Sequence, residues 1–381
     1  MGIGGTKMSV AASQFRLPVL CLTAVCLVSL IPAAAPAQQL ATVDSAALKL
    51  AKAEKKAVKR AENAAPFYSA ETPMEMSLIT NIKRIKSDKS DKAPWRPATV
   101  SFTDTSGKSV SIPTLIKTRG IWRLKNCELP PLRLNFKSEL TKGTMLRGVN
   151  KPKLVSACHN DDDYERYVVE EMQLYRIYGL LTPVSHRARL LKMKYTDSAS
   201  GKVQATGMAI MLEEPEVLAA RVSGEVVNMK GALPGDLSTE HDVLNGLFQY
   251  MIGNTDWSVY ALHNIDLVRT QTGDHMPIPY DFDFSGAINA PYATVDPKLP
   301  ITHVRDRLYR GYCHDPQDFQ KAFALFNEKK PEIYALYSDS IGSQLPKGAV
   351  KETLKYFDDF YETINNPKRA KREIFDSCLK P

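Results

Sequence analysis

Residues 98–112 read ATVSFTDTSGKSVSI. Ala98, Val100 and Phe102 alternate with polar side chains, Asp104-Thr-Ser-Gly107 supplies turn formers, and Val110 and Ile112 resume the alternation. A period of two on both sides of a turn predicts paired strands. Leu132-Arg-Leu-Asn-Phe136 repeats the pattern, so 97–137 reads as an antiparallel sheet. Working outward, Asp161 to Tyr178 carries acids in its first turn and apolar groups at helical spacing, with Gly179 just past its end. Residues 187–195 and 205–213 flank the Asp197-to-Gly201 turn as a hairpin, and Glu216 to Val222 makes a short helix. The second half is helical at His241 to Ile252, Pro316 to Tyr337 and Val350 to Cys378, the last broken at Pro367, with an irregular stretch over 253–310. Strands first and helices later predict an α+β chain. Its antiparallel sheet with one helix spans 96–222, and its mostly helical part spans 223–381.

The N-terminus has the parts of a cleavable secretory signal over 1–37. Lys7 and Arg16 give a positive start, Leu17 to Ile31 an apolar run, and Ala35-Pro36-Ala37 a small-x-small site. That run is shorter than the roughly 20 residues a bilayer span requires, so no stable transmembrane segment is expected after cleavage. Neither Cys21 nor Cys26 follows a lipobox, since Val25 is large where a small residue belongs. The expected location is periplasmic or secreted. The signal carries two cations and no acid, so its removal lowers the net charge from +8 to +6. No Arg-rich stripe with interleaved aromatics accompanies that surplus, so nucleic acid is not an expected partner. Residues 38–95 read as a Lys/Ala-rich helical arm and linker, solvated rather than core. Cys127, Cys158, Cys313 and Cys378 remain after cleavage, and an even number in an oxidising compartment predicts two disulfides. Three pairings are open.

The stretch 252–286 holds the residues most suited to chemistry. It contains Ile252-Gly-Asn-Thr-Asp-Trp-Ser258, His263-Asn264 and Pro277-Ile-Pro-Tyr-Asp-Phe-Asp-Phe-Ser-Gly286. Phosphoryl transfer uses one acid to accept the proton of the attacking hydroxyl, and an Asn with a second acid to hold magnesium. Oxygen donors suit such a hard cation. On this reading Asp256 is the base, Asn264 a metal ligand, Asp281 the principal metal carboxylate and Asp283 its helper. Trp257 and Tyr280 read as core or pocket walls.

The order of these features resembles the CotH family of atypical secreted kinases and, more distantly, HipA-type kinases, over about residues 117–290. Thr118-Arg-Gly120 and the strand ending in Lys137 resemble the family's Arg-Gly turn and lysine-bearing strand. Lys153-Leu-Val155, the acidic run 161–163 and the Arg166-to-Gly179 helix resemble its next strand and helix. Gly207 to Glu213 resembles the strand ending in a Glu near the nucleotide, and the Asp256, Asn264 and Asp281/Asp283 segments resemble its catalytic and metal loops. Asp256 and Asn264 stand eight residues apart, wider than in a usual kinase catalytic loop, and Ile121-Trp122 follows the Arg-Gly turn where small polar residues are common. The resemblance implies a two-lobed protein-kinase-like fold. It also implies ATP as co-substrate with Mg²⁺ or Mn²⁺, Arg119, Lys137 and Glu213 around the nucleotide, and an exported protein as acceptor. Glu170 or Glu171 would orient the lysine, and Arg305, Arg307 and Arg310 would receive an acidic substrate. Two other readings stand beside it: an envelope binding protein with the fold but no catalysis, and a nucleotide-sugar transferase with manganese on Asp281 and Asp283.

Overall fold

A computed structural model describes residues 36–90 and 92–380. Apart from its last two residues, the expected signal peptide lies outside the described residues. The chain divides into two compact units, Met1–Leu50 and Ala51–Pro381, and every strand belongs to the second.

The strands begin with β1 (Met74–Thr80), β2 (Arg96–Thr103), β3 (Ser109–Thr118), β4 (Leu132–Asn135) and β5 (Lys153–Ser156). The long hairpin β6 (Ala188–Asp197) and β7 (Val203–Leu212) comes next, as its alternation predicts. These seven close into a barrel in the order β1-β2-β3-β4-β5-β7-β6. Six neighbouring pairs are antiparallel; the closing pair, β1 with β6, is parallel from Met74 opposite Leu191 to Thr80 opposite Asp197. One inward side chain from each strand marks the interior: Leu78, Val100, Ile116, Leu134, Leu154, Leu191 and Met211 are at most 1% exposed.

This corrects the expected two-lobed kinase-like fold with an antiparallel first-lobe sheet. The sheet is mixed and closed, and a separate three-stranded sheet and helices accompany it. The physical reason lies in Met74-Glu-Met-Ser-Leu-Ile-Thr80, within the expected linker. Its Met74, Met76, Leu78 and Thr80 alternate inward, and the strand pairs on both sides, covering the edges that β2 and β6 would otherwise expose.

Helix α1 (Pro36–Tyr68) also departs from expectation. Ala61, Ala64, Phe67 and Tyr68 join the barrel's apolar core, so the final turns of the expected solvated arm are structural. Backbone meets backbone closely here. A β-carbon on Gly148 would stand 2.5 Å from the Arg60 carbonyl oxygen, and its φ of +86° suits glycine.

Short helices α2 (Ile82–Ser87), α3 (Trp122–Asn126) and α4 (Ser138–Thr141) lie between the strands, and α5 (Asp162–Leu181) precedes β6. Asp161 caps α5 by accepting the Asp163 N–H, and the helix runs through Gly179. It covers the outer face of the β6–β7 hairpin. Along β7, Met208, Ile210 and Leu212 face this helical core while Ala209 and Met211 face the barrel core. A strand buried on both faces reads as a nearly continuous apolar run, hence Met208-Ala-Ile-Met-Leu212. After α6 (Pro215–Arg221) and β8 (Glu225–Val227) come α7 (Thr239–Ile252) and the hairpin β9 (Ile265–Arg269) with β10 (His275–Pro279). Helices α8 (Pro316–Ala335), α9 (Lys347–Ile364) and α10 (Pro367–Ala370) complete the helical layer. Cys127 bonds Cys158 and Cys313 bonds Cys378, one of the three open pairings. Among the described residues no helix is long and apolar enough to cross a membrane.

Candidate functional site

The site forms at the open end of the β9–β10 hairpin. Ile265 pairs with Pro279 at the end of that ladder, so Asn264 and Tyr280 come opposite each other. The Tyr280 N–H donates to the Asn264 carbonyl at 3.1 Å, which brings Asn264 and Asp281 together although they are far apart in sequence. Helix α7 stops at Gly253, left-handed with φ +63°. The loop after it folds back through two 2.9 Å backbone bonds between Ser258 and His263, returning His263 and Asn264 to Asp256.

Asp256 is held at both carboxylate oxygens. His263 Nε2 lies 2.8 Å from Oδ1, while Asn264 Nδ2 donates to Oδ2 at 3.1 Å and to the Asp256 carbonyl at 2.8 Å. The pair stands at the surface, its side chains 44% and 51% exposed for Asp256 and His263. The hydrogen bond to Asp256 raises the imidazole above its ordinary value, and Asp281 adds to the rise. His263, which the motif reading gives no role, thus tends to the charged form.

Asp281 and Asp283 flank Phe282, which is fully buried against Tyr175 and Phe248 at 4.7 and 5.3 Å between ring centres. Gly286 and Ala287 donate N–H bonds to the carbonyls of Gly253 and Ile252, fastening this segment to the end of α7. The Asp281 N–H donates to the Tyr175 hydroxyl at 2.9 Å. Three of the five non-glycine residues with positive φ among the described residues sit in these two loops: Leu262, Asn264 and Asp281, at +51°, +52° and +65°. Strained backbone of this kind concentrates at functional sites, because it persists only where surrounding structure holds it.

The acids act on one another. Burial raises Asp283 above the carboxylate range, and the charges of Asp281 and Asp256 raise it further. Burial also raises Glu171, on α5, and Asp283 and Asp281 add to that. Arg123, on α3, answers them. Its guanidinium is 3.5 Å from Asp283 and donates to the Ser156 carbonyl, and the Cys127–Cys158 bond ties the end of α3 beside it. Trp122 stacks on Tyr292 at 5.2 Å, and Tyr292 lies close enough to Asp283 to lower its pKa against the effect of burial.

The cations opposite come from the barrel. Register places Lys117, Arg133 and Lys153 side by side across β3, β4 and β5. Leu132, Leu134 and Leu154 point inward, so this row points out. Lys153 Nζ sits 3.7 Å over the Tyr280 ring. Burial and the neighbouring Arg119 lower its pKa to about 8, against the pull of Asp266 and Asp281. A half-buried lysine with a perturbed pKa beside acids is a physical marker of a functional site.

The structure therefore groups Asp256, Asn264, Asp281 and Asp283, with Arg119 beside Lys153. Lys137 stands apart, exposed at the N-cap of α4 and lining an outer groove of about 540 Å³ with Thr99 and Leu115. Glu213 is fully buried, paired with Arg221 at 3.0 Å and accepting the Arg187 N–H at 3.1 Å. Arg305 and Arg310 donate to the Gly286 and Thr255 carbonyls and Arg307 pairs with Asp359, so these three brace the loops. Lys153, Arg123 and His263 are the charged residues that sequence motifs leave without a role. No local signal separates Lys153, the first residue of β5, from Lys137, two residues past the end of β4. Large grooves of about 560 and 980 Å³ lie elsewhere, between β1, β2, β6 and β7 and along residues 289–306, and neither is lined by these acids.

Asp281, Asp283 and Asn264 offer oxygen atoms alone, a donor set suited to Mg²⁺ or Mn²⁺. Among the described residues no three acids, histidines or cysteines stand close enough to hold a metal by themselves. Such a site fits a magnesium ion that takes its remaining ligands from water and phosphate, as this ion commonly does. Compared with protein-family models and with curated proteins, the chain matches none.

Proposed function

We propose that this protein is an exported, ATP-dependent phosphotransferase that moves a γ-phosphoryl group to a hydroxyl of a protein or another envelope component. One observation carries the reading: Asp256, Asp281 and Asp283 share one electrostatic cluster, faced by Lys153 and Arg119. In this reading Asp256 accepts the proton of the attacking hydroxyl, with His263 and Asn264 fixing the orientation of its carboxylate. The acceptor oxygen bonds to the γ-phosphorus as the bond to the ADP oxygen breaks. Lys153 and Arg119 bind the phosphate oxygens. Magnesium, held by Asp281 with Asp283 and Asn264, would neutralise charge on the phosphates. The closed barrel is not the fold that the resemblance to CotH-type kinases implied, so the reading rests on the chemistry of the site and not on shared architecture. Two disulfides and the secretory character of residues 1–37 support an oxidising compartment, periplasmic or extracellular.

One observation favours a second reading, a nucleotide-binding protein without transfer: Arg123 already supplies a cation to Asp283. Thermal shift and transfer of labelled phosphate separate the two. Wild type should shift with Mg-ATP and label an envelope extract. Asp281→Asn should lose the shift, whereas Asp256→Asn should keep it and lose label by about 10²–10⁴-fold. A shift without label in the wild type supports binding alone, and no shift with any nucleotide sinks both readings.

A further inference from the structure

Helix α7 carries a buried polar face through the helical core. Asp242, Asn245 and Gln249 are spaced three and four residues apart, which stacks them on one side of the helix. All three are at most 1% exposed, among apolar neighbours that include Leu244, Leu247 and Phe248. Asp242 Oδ2 lies 2.7 Å from His314 Nε2, yet its Oδ1 has no protein partner among the described residues. The same holds for both amide atoms of Asn245, for Gln249 Nε2 and for the hydroxyls of Tyr178, Tyr309 and Ser285. These groups share one region. The charge of Asp242 acts on both Tyr178 and Tyr309, and the Tyr309 hydroxyl occupies the space a β-carbon on Gly246 would need, 2.8 Å away. Ser285 lies by the end of α7, where Gly286 bonds Gly253.

So many orphaned polar atoms in one core would cancel much of an ordinary domain's stability. Their chemistry selects the partner. Asn245 Nδ2 and Gln249 Nε2 donate while Asn245 Oδ1 and Asp242 Oδ1 accept, and among the described residues no three acids, histidines or cysteines gather to hold a cation; Asp242 would repel an anion, and the hydroxyls would reject an apolar guest. Water donates and accepts, and it settles in polar interiors that offer two to four partners. We propose that this seam is a hydration site: ordered water molecules bridge Asp242, Asn245, Gln249 and the three hydroxyls. Gln249 and Asn254 extend it to the loop that holds Asp256. Gln249 Oε1 accepts from Asn254 Nδ2 at 2.9 Å, and Asn254 Oδ1 accepts the Asp256 N–H at 3.0 Å. The water file thereby makes Asn245 and Gln249 positioning residues for that loop. The water file needs no nucleotide and is independent of phosphotransfer.

The full-length protein and its Asn245→Leu and Asn245→Ser variants test it. A high-resolution crystal structure of the wild type should show ordered water within hydrogen-bonding distance of Asn245 and Tyr309. Asn245→Leu should lower the melting temperature, because it strips hydrogen bonds from the file, while Asn245→Ser, with room for one more water, should recover part of the loss. Hydrogen exchange at the Asp256 N–H should run about tenfold faster in Asn245→Leu with protection in β6 and β7 unchanged, a local effect that general destabilisation would not produce. A dry seam overturns the proposal. So does a higher melting temperature for Asn245→Leu, the result expected if a truly orphaned amide is replaced by an apolar group of similar size. Unchanged exchange at Asp256 overturns the positioning role even where water is found.

Discussion

At the scale of the residue, Lys153 is where burial and chemistry meet. Its ammonium is held over the Tyr280 ring with its pKa lowered to about 8, mainly by burial and then by Arg119. Below that pH it is charged and can bind phosphate; above it the amine is neutral and the attraction is lost. Nucleotide affinity should therefore weaken as pH rises through about 8. Lys153→Met should bind about ten- to a hundredfold less tightly at about pH 7, the usual worth of a charge-assisted hydrogen bond, with a flatter pH profile in calorimetric titration. Glu170 makes a separate case, outside the acid cluster. Burial raises it from 4.5 to about 8, and its Oε2 has no protein partner among the described residues. Because its value in the folded state lies above the unfolded one, the folded state favours the proton. The stability this contributes is complete below pH 4.5 and is lost as the pH climbs through about 8. Glu170→Gln, neutral at every pH, should lose less melting temperature than wild type between about pH 5 and 9 in parallel scans.

At the scale of the element, three short pieces assemble what no one segment contains. The β9–β10 hairpin sets Asn264 beside Asp281, the left-handed Gly253 turns the Asp256 loop away from α7, and α3 delivers Arg123 to Asp283. A five-residue helix is not stable alone, and the Cys127–Cys158 bond anchors this one. The two cysteines are 31 residues apart, and closing a loop of that size stabilises by roughly 3–4 kcal/mol in the chain-entropy account. Replacing both with alanine should cost about that much in denaturant titration, and it should also release Arg123 from Asp283. Unaltered stability in the double variant would show that packing alone holds α3. The site elements were legible in sequence as loops after apolar runs, because glycine, asparagine and aspartate mark turns. Their convergence was not, since it depends on hairpin register and on Phe282 docking between Tyr175 and Phe248.

At the scale of the whole molecule, barrel closure is the property that local reading misses. The period-two runs in β2, β3, β4, β6 and β7 declare strands, yet alternation carries no information about whether a sheet stays open. Strand β1 settles that by pairing antiparallel with β2 and parallel with β6. Leu78 lies at its centre, fully buried in the barrel core. Leu78→Ala should cost about 2–5 kcal/mol in urea unfolding, the range for truncating a well-packed core leucine. A loss below about 1 kcal/mol would mean that β1 contributes little to closure.

The amino-acid order alone determined the strand and helix periods, the two-disulfide count and the chemical inventory of the 252–286 loops. Those are properties of short windows, where side-chain spacing and turn chemistry act locally. Tertiary structure alone decided that the sheet closes, that the end of α1 belongs to the core, that Cys127 meets Cys158, and that Lys153 rather than Lys137 faces the acids. Each of these depends on which distant segments bury the same apolar surface, a competition that no local pattern records.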